Sequence, residues 1–80
     1  MENEMIPRQT EQKIITDLEQ MIKSGEKGSL LLSDYVDDNW GACMDFAMLY
    51  EASDDLSYFV NQQREQGVSV KVEEDRISVL

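Results

Sequence analysis

The sequence predicts an α+β fold, and three observations carry that expectation. Apolar residues recur at three- and four-residue spacing in the first third of the chain, and a second helix-type block fills the middle. The last thirteen residues, VSVKVEEDRISVL, alternate with a period of two. At 80 residues the expectation is a single domain over 1–80, near the size at which a hydrophobic core alone only just offsets chain entropy. An apolar share of 41% sets the chain apart from disordered sequences, although a net charge of −10 pushes the other way.

The opening residues 1–7 are polar and expected to fray. Pro7 and Thr10 offer alternative starts for the first helix, Pro within a first turn and Thr as a cap. Ile14, Ile15, Leu18, Met21 and Ile22 then form an inward stripe of about four turns, with Glu11, Lys13, Asp17, Glu19, Gln20 and Lys23 around the rest of the wheel. Gly25 is placed to end the helix as its C′ residue, with Lys23 complementing the dipole. The apolar run at 30–32 is too short for periodicity to decide, and a short third strand near 29–33 is expected because a lone hairpin is marginal in water.

Residues 37–39, Asp-Asp-Asn, supply N-cap chemistry for a second helix from about Trp40 to Glu51. Its side chains are apolar almost all round, interrupted only by Asp45, the pattern of a central helix or of one with two buried faces. Ser53 then caps a third helix, with Asp54 and Asp55 in the first turn where the positive end of the dipole favours them. Leu56, Phe59, Val60 and Gln63 mark its inward stripe, Arg64 and Glu65 its solvated end, and Gly67 its stop. In the C-terminal antiparallel hairpin a turn at Glu74 and Asp75 sets Glu73 against Arg76, Val72 against Ile77 and Val70 against Val79. All apolar pairs then share one face, with an opposite-charge pair on the other.

Composition disfavours catalysis. The chain has no His, the commonest general base near neutral pH, and Cys43 lies in an apolar block that blunts a thiol's nucleophilicity. The carboxylates of Asp34, Asp37 and Asp38 read as solvated caps rather than as an acid–base pair. Counted as a calcium loop from Asp34, the segment puts Val36 at a ligand position and Asn39 where the turn glycine belongs, so the match fails. No enzyme activity, cofactor or metal is expected. The lone Cys43 and the absence of a leader-type or membrane-spanning stretch point to a cytoplasmic protein.

Charge distribution carries the functional expectation. Residues 28–63 hold seven of the 17 acidic side chains and none of the 7 basic ones, a local balance of −7 against −3 for the other 44 residues. An ordinary solvated surface intersperses both signs. Such a chain repels nucleic acid and anionic membranes and attracts basic surfaces. The expected partner is therefore a basic protein surface of the kind that holds nucleic acid. The expected contact residues are Asp34, Asp37, Asp38, Asp45, Glu51, Asp54 and Asp55 for charge, with Trp40, Phe46 and Tyr50 as aromatic anchors. In size, charge and lack of catalytic groups the chain resembles phage-encoded inhibitors of host defence, including anti-restriction and anti-CRISPR proteins that mimic DNA. The alternative expectation is a self-associating structural or regulatory module, a homodimer through the 40–50 helix with no nucleic-acid-handling partner.

Overall fold

The computed structural model describes residues 8–35 and 45–80. Its elements run in the order α1 (Arg8–Lys23), β1 (Gly28–Leu31), a one-turn 3-10 helix (Leu32–Asp34), α2 (Phe46–Ala52), α3 (Asp54–Glu65), β2 (Val70–Val72) and β3 (Arg76–Val79). The strands form one antiparallel sheet in the order β1-β3-β2. The three helices lie against it, α1 on β1 and both α2 and α3 on β2. The α+β expectation holds, and so does the third strand, which spans Gly28–Leu31.

The hairpin register is the one the alternation predicts, with Val70 opposite Val79 and Val72 opposite Ile77. The charges distribute differently: Glu73 pairs with Lys71 at 3.1 Å and Arg76 with Asp75 at 3.4 Å. Among the described residues no non-glycine residue has a positive φ, so Glu74 and Asp75 turn the chain without the primed geometry that best matches strand twist. The turn is braced from outside. Leu32 donates its backbone N–H to the Asp75 carbonyl at 2.9 Å, and Phe46 donates its own to the Glu74 carbonyl at 3.1 Å.

Ile14, Leu18, Tyr35, Phe46, Leu49, Leu56, Val60, Val70, Ile77 and Val79 form the buried core. Each large aliphatic or aromatic member contributes about 1.5–3 kcal/mol by leaving water. Both long helices end in the same way. Gly25 and Gly67, at φ 77° and 95°, allow the left-handed step that closes two backbone bonds over each last turn. Gly25 N–H reaches the Ile22 carbonyl and Glu26 N–H that of Met21, while Gly67 reaches Arg64 and Val68 reaches Gln63.

The described residues correct three expectations. Thr10 lies inside α1 and does not cap it. Glu11, assigned to the polar side of the wheel, is 2% exposed; its Oε2 accepts a hydrogen bond from the Ser53 hydroxyl, and its Oε1 lies 3.6 Å from Arg8 Nη1. The second helix does not run through from Trp40, because Asp45 is extended and acts as the N-cap of α2, accepting from Met48 N at 2.8 Å. A residue whose carboxylate satisfies a free N–H of the first turn starts a helix rather than interrupting one. The expected start at 37–39 and residues 1–7 lie outside the described residues. Arg64 is exposed, as expected for the solvated end of α3, and in addition donates to the Val70 carbonyl from Nε at 3.1 Å and from Nη2 at 2.8 Å, tying the end of α3 to β2.

Ser53 does two jobs. Its Oγ accepts the Leu56 N–H at 3.0 Å as the cap of α3 while its hydroxyl proton goes to Glu11 on α1. Ser53→Ala removes the cap and leaves a buried carboxylate without its donor, a combined cost of about 2–4 kcal/mol. Urea unfolding should show that loss as a lower midpoint at unchanged slope, with Ser53→Thr retaining most of the stability. An unaltered midpoint for the alanine variant would refute the coupling.

Tyr35 sits in the core with its ring edge-on to Phe46 at 6.1 Å, and its hydroxyl donates to Asp17 Oδ2 at 2.5 Å. Burial raises the pKa of this phenol, and the adjacent Asp17 carboxylate raises it further. The folded state therefore favours the neutral phenol. That contribution is complete below the ordinary tyrosine pKa of about 10 and drains away as pH rises above it. Tyr35→Phe should cost about 1–3 kcal/mol at neutral pH, and the gap between the two proteins should narrow above pH ~10. Paired denaturation curves across that range measure it, and a gap independent of pH contradicts the assignment.

Candidate functional site

Helix α2 organises the acidic surface. It is seven residues long, about 10 Å at 1.5 Å per residue, and carboxylates mark both of its ends. At its start stand Asp45 and, through the Phe46-to-Glu74 backbone bond, the acidic hairpin turn Glu73–Glu74–Asp75. Leu32 is bonded to the same turn, which draws in the exposed Asp34 two residues later. At the far end of α2 lie Glu51 and then, across the single residue Ser53, Asp54 and Asp55 in the first turn of α3. All three are exposed.

These carboxylates are not equally free. Asp45 is half-buried and holds the α2 cap. Asp55 faces Arg8 at 3.5 Å, so the N-terminal helix neutralises one corner of the surface. Asp75 is shared with Arg76, whose pKa it raises by hydrogen bonding and by charge. The structure thus brings together Asp34, Asp45 and the hairpin turn at one end of α2, and Glu51, Asp54 and Asp55 at the other. Asp37, Asp38 and Trp40 lie outside the described residues.

Two of the expected aromatic anchors have work inside the fold. Phe46 is fully buried and belongs to the core, so it offers nothing to a partner. It is the first residue of a helix whose inward stripe is Phe46 and Leu49. Tyr50 is half-buried, donates to Asn61 Oδ1 at 3.2 Å, accepts from Arg64 Nη1 at 3.3 Å and carries the Arg64 guanidinium 5.8 Å from its ring centre.

The exposed apolar groups beside the carboxylates are others. Tyr58, 67% exposed, sits one turn beyond Asp54 and Asp55 on α3, and Met48 is exposed in the first turn of α2. Residues three or four apart on a helix share a face, which puts Tyr58 with Asp54 and Asp55, and Met48 with Glu51 and Ala52. The signal for Tyr58 was present in the sequence: a large aromatic that falls off the stripe of Leu56, Phe59, Val60 and Gln63. For the hairpin acids there was none, since only the long-range bonds of Leu32 and Phe46 bring Glu74 and Asp75 to the acidic stretch.

The arrangement of the described residues presents charge and apolar contact. Among the described residues no group of three acidic or thiol side chains is close enough to hold a metal ion, and no helix is long and apolar enough to cross a membrane. Comparison of the chain with known protein families, with curated proteins and with solved structures finds no match in any of the three.

Proposed function

We propose that the protein is a small acidic inhibitor or regulator that docks on a basic, nucleic-acid-binding surface of a partner protein. One observation carries this reading: α2 bears carboxylates at both ends, within a 36-residue window that contains no Lys or Arg. A surface whose only role is solubility mixes its charges, whereas a surface that competes with a polyanion needs one sign over a sustained length. Tyr58 and Met48 supply the apolar contact that long-lived binding requires, while the carboxylates set encounter rate and selection. Among the described residues, the side chains of Asp34, Glu51 and Asp54 enter no hydrogen bond or ion pair, and Asp37 and Asp38 extend the same acidic run in the sequence. The expected target is a Lys- and Arg-lined groove, and the expected effect is exclusion of nucleic acid from it.

The experiment is affinity capture from the native host at low ionic strength, elution with a salt gradient, and competition of the captured protein against duplex DNA. Elution at moderate salt and displacement by DNA are expected. Asp34→Lys with Glu74→Lys should slow association about tenfold or more at low salt and leave the melting temperature within a few degrees, because neither residue caps a helix or lies in the core. A complex indifferent to salt and to both charge reversals would exclude this function.

A further inference from the structure

The two outer edges of the sheet differ. In an antiparallel ladder the backbone groups of successive residues point alternately to the two neighbours. On β2, Val70 directs its carbonyl away from β3, and the Arg64 guanidinium occupies it with two hydrogen bonds. One outward acceptor of that edge is thus occupied. On β1, the Leu32 N–H points at Asp75, and with Leu30 opposite Ile77 and Gly28 opposite Val79, these even-numbered positions face β3. Ser29 and Leu31 therefore direct their N–H and C=O groups outward, both residues are exposed, and no helix side chain stands over this edge among the described bonds. Leu31, 42% exposed, also lines an open groove with Leu32, Ser33, Asp75 and Arg76.

We infer that the free edge of β1 is a docking strand, which takes an extended basic segment of the partner by β-strand addition. The inference rests on the acidic-inhibitor reading for the sign of the partner's charge and goes beyond it in the mode of contact. A second copy of this chain would bring another charge of −10 to an edge that ends at Asp34 and the acidic turn. A segment alternating basic and apolar residues instead brings charge that Asp34, Glu73 and Glu74 complement, with Arg76 of the groove already paired to Asp75, and can place one apolar side chain in the groove beside Leu31. Backbone pairing at Ser29 and Leu31 supplies affinity without reading sequence, and the carboxylates at the end of the strand select for Lys and Arg.

The test uses the full chain and a ten-residue synthetic peptide alternating Lys and Val, beside the same peptide N-methylated at every backbone nitrogen, which keeps its charge but has no N–H on either edge with which to pair as a strand. The unmodified peptide should bind at low salt and protect the Ser29 and Leu31 amides from hydrogen exchange, and the methylated one should bind at least about tenfold more weakly. Leu31→Pro should weaken the unmodified peptide by a similar factor, because its N–H faces away from β3 and proline at an edge removes that outward donor without costing a ladder bond. Equal binding of both peptides, with both weakened by Asp34→Lys and Glu74→Lys, would overturn the docking strand and leave the acidic-inhibitor reading intact. Failure of the unmodified peptide to bind would also overturn it. Protection of Ser29 and Leu31 that rises with protein concentration in the absence of peptide would assign the edge to a second copy and overturn it as well.

Discussion

The hydrogen bond between Ser53 and the buried carboxylate of Glu11 is the constraint on which the helical layer depends. It joins residues 42 positions apart, fixes the first turn of α1 against the first turn of α3, and uses the oxygen that caps α3. Burying a carboxylate is costly unless donors meet it. The site answers with the Ser53 hydroxyl and the nearby positive charge of Arg8, which also reaches Asp55. Because α2 ends and α3 begins at the same serine, whose backbone is extended, this contact anchors to α1 the corner at which the two helices that carry the acidic surface meet. In a domain of this size, with total stability of about 4–12 kcal/mol, a contact of that kind specifies the arrangement as much as it stabilises it.

The sheet solves a different problem. A short hairpin with an unfavourable turn is weak alone, and here its turn is held by backbone donors from two other parts of the chain, Leu32 and Phe46. The same bonds place β1 beside β3 and start α2 at the hairpin. Acidic side chains accumulate there as a result, since the segments that converge on the turn each bring carboxylates. The surface is thus a by-product of how the sheet is closed, which explains how widely separated residues come to form one acidic end.

Much of the architecture was legible in the sequence because local physics decided it. The period-two alternation determined the hairpin register residue by residue, the two glycines marked helix ends that need a left-handed step, and Ser53 followed by two aspartates announced the start of α3. What escaped was non-local. Glu11 reads as a surface residue on any helical wheel, because its burial depends on a serine 42 residues later. Asp45 reads as an interruption in an apolar helix, although an aspartate before an apolar run is also a cap; the wrong alternative came from extending the block back to Trp40. Phe46 reads as an anchor within an apolar block but is core, whereas Tyr58, off the inward stripe, carries the exposed ring. The acidic surface was half visible: its charge count could be read directly, but the contribution of Glu74 and Asp75 depends on tertiary hydrogen bonds that leave no trace in composition.

The Arg64 contact with Val70 has a consequence for assembly. With one outward carbonyl of β2 taken by a side chain of the same molecule, that edge offers an interrupted row of groups for strand pairing, whereas Ser29 and Leu31 of β1 offer theirs intact. Edge-to-edge growth into fibres needs two open sides on every unit. Here the two sides are unequal, so pairing at β1 is not repeated on the same terms at β2, which works against growth by a short chain with an open strand.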